Sequence, residues 1–264
     1  MVDGESALNK TISRFQRLQL TLIVAALVAP LLSFIAAPAH AVTATCAEGG
    51  VCQVGDTGPG GGIVFYVAPT TFTQIGASGS MCSTNCKYLE AAPNTWSNEP
   101  NIFSGEPSDL WRTWATGEDN STTEVVGADE TAIGTGFKNS LDIVAQTGNL
   151  AISSAAVAAR GYTPTVSGTT YSDWYLPSKD ELNRLFLRRT TVGGFEPNGF
   201  YWSSSEFPST AAYMQDFSDG AQNPSFKYDN RYVRPVRAFA PATQIAITRA
   251  AVGTQRGAAF TTQP

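Results

Sequence analysis

The sequence predicts an α+β domain, rich in loops, with two to three helices and a small, mainly antiparallel sheet. Three observations carry that expectation. In Asp173-Trp174-Tyr175-Leu176-Pro177-Ser178-Lys179-Asp180-Glu181-Leu182 an apolar, strand-like run meets a proline and passes at once into a helix start. Upstream, 136–146 and 152–160 have helical spacing or composition. Downstream come strand-like runs, two of them separated by Ser218-Asp219-Gly220, whose Asp-Gly pair favours a hairpin turn.

The chain has 264 residues and opens on a secretory-type signal over 1–41. Arg14 and Arg17 close a basic segment, Leu18 to Ala37 is apolar, and Ala39-His40-Ala41 fits an A-x-A cleavage site. After cleavage no later segment is long and apolar enough to span a membrane, so the expected product is secreted or displayed at the cell surface. Cleavage also removes His40, the only histidine, and with it imidazole-based triads, metal sites and acid–base catalysis. The formal charge moves from 17 − 22 = −5 to 14 − 20 = −6 once Asp3, Glu5, Lys10, Arg14 and Arg17 are gone. An acidic chain is a poor general binder of nucleic acid and needs a local basic patch to hold any polyanion.

Residues 42–240 form the expected domain. Its cysteines, Cys46, Cys52, Cys82 and Cys86, are even in number in an exported chain and favour disulfides over a zinc site. Pairing 46–52 and 82–86 closes the shortest loops and costs least entropy. Gly55-Asp56-Thr57-Gly58-Pro59-Gly60-Gly61-Gly62 precedes the strand-like Ile63 to Val67 and has no Lys-Ser/Thr after it. It therefore reads as a tight turn feeding a buried strand and not as a phosphate loop, which follows a strand and opens a helix. Residues 70–131 read as mostly irregular, with Tyr88 to Ala91 a short strand and Trp96, Trp111 and Trp114 as core plugs, the alternative for each being a platform that stacks on a sugar ring.

In the 136–146 helix Phe137, Leu141, Val144 and Ala145 fall near helical spacing, and Gly148 stops it. The 152–160 helix is Ala-rich and stops at Gly161. At the third helix Ser178 is the N-cap and Glu181 completes a capping box. Leu182, Leu185 and Phe186 share its apolar face, Arg188 and Arg189 sit in its last turn, and Gly193-Gly194 end it. The strands that follow are Phe200 to Ser205, the hairpin arms Ala211 to Phe217 and Gln222 to Lys227, and Arg231 to Phe239. Pro235 makes the last an edge or bulged strand. Residues 241–264 turn to Ala, Thr and Gln and read as a linker or the truncated start of an immunoglobulin-like repeat.

Several blocks together resemble one family. Gly55 to Tyr66, Lys87-Tyr88-Leu89-Glu90-Ala91-Ala92-Pro93, Thr131 to Gly136, Trp174 to Leu182, Tyr201-Trp202-Ser203-Ser204-Ser205-Glu206 and Val233-Arg234-Pro235-Val236-Arg237 resemble, in order, the Lcl C-terminal domain family, long a domain of unknown function. The resemblance runs from about 53 to 239. It implies a C-type-lectin-like/formylglycine-generating-enzyme-like fold on a secreted or surface protein. The family's namesake is a bacterial adhesin that recognises sulfated glycosaminoglycans, so the resemblance implies glycan binding. It does not carry over formylglycine-generating activity, which needs a reactive cysteine pair near the C-terminal end, whereas all four cysteines here lie early.

The expected function is ligand recognition, adhesin-like and directed at a glycan. The alternatives are a structural module without a ligand and, more remotely, a carboxylate-dependent glycan hydrolase. Trp202, Tyr213, Lys227 and Arg231 are the candidate ligand contacts. Arg234 and Arg237 are expected to pair with carboxylates such as Glu181 and Asp180, pinning helix to sheet. Lys227, Arg231, Arg234 and Arg237, with Arg184, Arg188 and Arg189, hold half of the basic residues after 41 and could present a face to sulfate or carboxylate. No cofactor is required. Calcium is the one candidate ion, through Glu196-Pro197-Asn198 (and its repeat Glu99-Pro100-Asn101) with Asp216. For hydrolysis, Asp173, Glu181, Glu206 and Asp216 are available, but no spacing selects two of them.

Overall fold

The computed structural model describes residues 44–77, 82–97, 109–116, 121–149 and 154–241. The signal, the Glu99-Pro100-Asn101 repeat, the start of the 152–160 helix and the tail after Pro241 lie outside the described residues. Both expected disulfides are formed, Cys46–Cys52 with Cα atoms 4.7 Å apart and Cys82–Cys86 with 5.2 Å.

The fold is α+β. In chain order the elements are β1 (Ile63–Phe72), β2 (Cys86–Ala91), β3 (Leu110–Thr113), α1 (Gly136–Ala145), α2 (Ala155–Gly161), β4 (Thr165–Val166), β5 (Thr169–Thr170), α3 (Lys179–Leu187), α4 (Arg189–Val192), β6 (Phe200–Phe207), β7 (Ala211–Asp216), β8 (Gln222–Phe226), β9 (Asn230–Val233) and β10 (Val236–Phe239). They build a three-stranded sheet ordered β1-β2-β10, a five-stranded sheet ordered β3-β9-β6-β7-β8, and the small β4-β5 hairpin. Pairing is antiparallel except between β6 and β9, which meet in parallel at Tyr201 and Tyr232.

Alternation along the strands sorts side chains into separate cores. On β1, β2 and β10 the residues Val64, Tyr88 and Phe239 pack with the Cys46–Cys52 lead-in, while Phe65, Leu89 and Ala238 face the other way into a core with α3. The Trp174-Tyr175-Leu176 run does the same between two cores. Trp174 and Leu176 join a cluster with Ile143, Ala155, Ala156 and Trp202, and Tyr175 joins the one with Leu182, Leu185 and Tyr232. The run is held by a two-way backbone bridge between Tyr175 and Val236, both bonds 2.9 Å, and by the Ser140 hydroxyl, which serves both backbone groups of Leu176. Trp96 and Trp114 are buried plugs as expected; Trp111 is half-buried and edge-on to Tyr232 at 4.6 Å.

At α3 the capping box is in place: Ser178 Oγ accepts from Glu181 N–H, and Glu181 Oε2 accepts from Ser178 N–H at 2.8 Å. The helix stops at Leu187, one residue short of the two expected terminal arginines, and Arg189–Val192 forms a separate turn before Gly193. One strand expectation is corrected. Residues 231–239 are two strands: the chain leaves the five-stranded sheet at Val233, turns at Arg234-Pro235, and enters the three-stranded sheet at Val236. Proline cannot continue a ladder, and here its position is used to switch sheets. β9 is an interior strand; β10, like β1, is an outer strand of its sheet.

The glycine-rich stretch is a turn ahead of β1, as expected, and it does hold an anion, but an internal one. Gly60 and Gly62 N–H donate to the two Glu90 carboxylate oxygens, each at 3.0 Å. A side chain on Gly62 would collide with the backbone carbonyl of Ala91 and lie 2.9 Å from the Trp174 ring. Gly62→Ala is therefore expected to cost about 1–3 kcal/mol, as overpacking against backbone does, read as a lower denaturant midpoint with unchanged slope.

Candidate functional site

Most basic residues of the late strands are spent inside. Arg234, fully buried, forms a bidentate pair with Asp109, its Nη2 2.8 Å from Oδ2, and donates to the carbonyl oxygens of Ala92 and Gly194. Arg237 bridges two carboxylates, Glu90 through Nη1 at 2.6 Å and Asp173 through Nε at 2.5 Å. Burial pushes the Glu90 and Asp109 carboxyls above their ordinary range, against the pull of their arginines. The expected pairing with carboxylates holds, but Glu181 and Asp180 are not the partners. Glu181 is consumed by the α3 cap and Asp180 is exposed on the first turn. The arginines pin strand to strand and to the glycine-rich loop.

Lys227 is corrected as a ligand contact. It is buried, ion-paired to Glu206, donates to the Thr123 carbonyl at 2.7 Å, and lies 4.9 Å from the Trp114 ring centroid. Burial lowers the Lys227 ammonium and raises the Glu206 carboxyl, each opposed by the other. Trp202 is corrected too: it is fully buried, and its indole N–H donates to the Arg112 carbonyl at 3.0 Å. Tyr213 is half-buried on the opposite face of the sheet, with the Lys179 ammonium 4.2 Å from its ring centroid.

Arg231, like Tyr213, stays partly exposed, its side chain 23% exposed. Its guanidinium lies over two rings, Phe200 at 5.5 Å and Trp202 at 5.9 Å. Nη2 donates to Ser225 Oγ at 2.8 Å and Asp229 Oδ2 at 3.1 Å, and Nη1 to the Asn230 carbonyl at 2.7 Å. Across the β3–β9 ladder its partner is Arg112. Residues directly opposite in a ladder present side chains to the same face, about 5 Å apart at Cβ. Two half-buried arginines thus stand side by side on one rung, with Phe200, 36% exposed, beside them. An anion bridging the two guanidiniums would join Asp229, which is already ion-paired with Arg231.

The calcium candidates lie in or next to turns. Glu196 N–H donates to the Tyr201 hydroxyl at 2.9 Å, Asn198 is exposed in the turn before β6, and Asp216 Oδ1 accepts from Ser218 N–H at 2.8 Å and from its hydroxyl. Among the described residues no group of three or more His, Cys, Asp or Glu side chains is placed to hold a metal. Of the carboxylates named for hydrolysis, Asp173 pairs with Arg237, Glu206 with Lys227, Glu181 caps α3, and Asp216 closes the β7–β8 turn.

Sequence reasoning missed Arg112, because 110–113 sits in a stretch that reads as irregular and its ladder to β9 spans most of the domain. It also missed that Phe226 and Tyr228 are exposed, 52% and 57%. Lys227 and Tyr228 lie in the turn after β8, so alternation along the strand does not mark them.

The sequence pattern of the Lcl C-terminal domain matches residues 95–237, more than half of the chain. The resemblance from the sequence began earlier, at about 53; the glycine-rich block and the Lys87–Pro93 block lie outside the match. Their strands β1 and β2 nonetheless share a sheet with β10. No curated protein matches the chain. Among the described residues no helix is long and apolar enough to cross a membrane.

Proposed function

Because the chain belongs to the Lcl C-terminal domain family, we propose that it is a ligand-recognition domain of a secreted or surface-displayed protein, binding an anionic glycan without catalysing a reaction. The observation that carries this is the Arg112–Arg231 rung, two guanidiniums facing one side of the sheet beside the exposed Phe200. Planar guanidiniums bind carboxylate and sulfate oxygens in pairs, and the aromatic ring offers a sugar its flat face. The stacking of Arg231 over Phe200 and Trp202, with its bonds to Ser225 and Asp229, fixes the guanidinium before a ligand arrives, which lowers the ordering cost of binding. The two disulfides suit an oxidising compartment.

The test is an array of sulfated, carboxylated and neutral glycans, run with the full chain at two salt concentrations. Binding to anionic glycans is expected to weaken with salt. Arg231→Ala and Arg112→Ala are each expected to weaken it about 10- to 100-fold, the loss of one charge-assisted contact. Lys227 is unsuitable for this test, since removing it strands Glu206. Retention of anionic-glycan binding in both variants would remove the rung from the site. Absence of binding to every glycan would favour a structural module.

A further inference from the structure

Phe226 is the last residue of β8, and Lys227 and Tyr228 form the turn that follows it. The lysine points inward at 0% exposure, and the two aromatics stand in solvent with rings stacked, centroids 5.1 Å apart and planes within 8°. The amine is compensated by Glu206 and the Thr123 carbonyl, but two large rings side by side in solvent forgo the gain of burial. The arrangement is therefore not one that core packing selects, and it points to a use for the exposed rings.

The ladder places what surrounds them. Phe226 lies opposite Ala211 on β7, and Ala211 lies opposite Phe207 on β6, so the three stand in a row on one face. Phe207 is 39% exposed and Ala211 is 8%. With neighbouring strands ~4.8 Å apart, the two phenylalanine stems stand roughly 10 Å apart above a single methyl group. Further along β7, Tyr213 meets Phe207 edge-on at 5.3 Å and carries the Lys179 ammonium over its ring. The result is a shallow slot: Phe207 is one wall, the Phe226–Tyr228 stack the other, Ala211 the floor, and Lys179 over Tyr213 closes one end.

We propose that this slot is a second binding site, on the face of the sheet opposite the arginine rung, and that it holds a pyranose ring by its apolar C–H face. The inference rests on the reading of the domain as glycan-binding. The flat, exposed rings match the C–H face of a sugar, and the tyrosine hydroxyls and the Lys179 ammonium at the rim can hydrogen-bond its hydroxyls. An added peptide strand fits less well, although β8 is the outer strand, because Pro224 in its middle lacks the N–H that a continuing ladder needs.

Saturation-transfer NMR on the full chain, with the methyl glycosides of glucose, galactose, mannose and N-acetylglucosamine as probes, tests the slot. At least one glycoside is expected to show transfer to its ring C–H protons. Phe226→Ala and Tyr228→Ala should each cut that transfer several-fold, with circular dichroism unchanged, while Arg231→Ala leaves it intact. Equal transfer in wild type and both variants overturns the slot. So does no transfer in the wild type. If anionic glycans still bind through Arg231 in that case, the domain's proposed function stands and the slot alone falls; if they do not, both fall. Self-association in sedimentation that the two variants abolish, without glycoside transfer, would assign the slot to a second copy of the chain instead.

Discussion

Replacing Arg237 with alanine is expected to cost about 3–5 kcal/mol, enough to unfold a domain of ordinary stability. Arg237 sits on β10 with no exposure and is the shared counter-charge of Glu90 and Asp173. Glu90 is itself the anion around which the glycine-rich turn closes, through Gly60 and Gly62. Removing the guanidinium leaves two carboxylates without the counter-charge they share. Burial already raises the Glu90 carboxyl while Arg237 is present, so without it protonation becomes the cheaper state. The variant should therefore recover stability as pH falls toward 5, and adding Glu90→Gln and Asp173→Asn should restore much of what the single change removes. Guanidinium unfolding followed by tryptophan fluorescence measures both. A loss below about 1 kcal/mol for Arg237→Ala, the range of a surface ion pair, would mean that the pair is not buried in solution.

That cluster also marks the boundary of what the sequence could disclose. Features set by neighbours along the chain were legible. The Ser178–Glu181 box needs only a three-residue spacing, the disulfides follow from short loops, and the β7–β8 turn follows from Asp219-Gly220. Features set by distant register were not. Arg237 meets Glu90 across 147 positions and Arg234 meets Asp109 across 125, whereas an expectation that they pin helix to sheet points to Glu181 and Asp180. The candidate site divides in the same way. Arg231 could be named from its charge. Its neighbour Arg112 emerges only once β3 is paired with β9, and Lys227 changes from surface to core once it meets Glu206 on β6 and the Thr123 carbonyl. Charge alone places both basic residues outside; their partners separate them, the buried Glu206 for Lys227 and the part-exposed Asp229 for Arg231.

The second large effect is a pH dependence of opposite sign to ordinary acid denaturation, centred on Glu181. The side chain is fully buried, and burial raises its carboxyl from 4.5 to about 7, in spite of donation from Ser178 N–H, Gly134 N–H and the Tyr175 hydroxyl. Because the folded value lies above the unfolded one, the group's contribution to stability is fully present below pH 4.5 and is lost as pH rises through about 7. A shift of this size corresponds to about 3 kcal/mol. Burial raises Glu90, Asp109 and Glu206 in the same direction, so the isolating measurement is the difference between wild type and Glu181→Gln, taken by urea unfolding from pH 4.5 to 8. Glutamine keeps one acceptor for the cap and sets its amide against another N–H, so the variant is expected to be less stable at every pH. Its deficit should nonetheless shrink by about 3 kcal/mol between the acid and alkaline ends, as the wild type gives up what the protonated acid supplied. The competing outcome is equally specific. Three donors converge on this carboxylate, and if they outweigh desolvation the deficit will grow with pH instead. A growing deficit would show that the α3 cap is held by an ionised glutamate, and a shrinking one that it is held by a neutral acid.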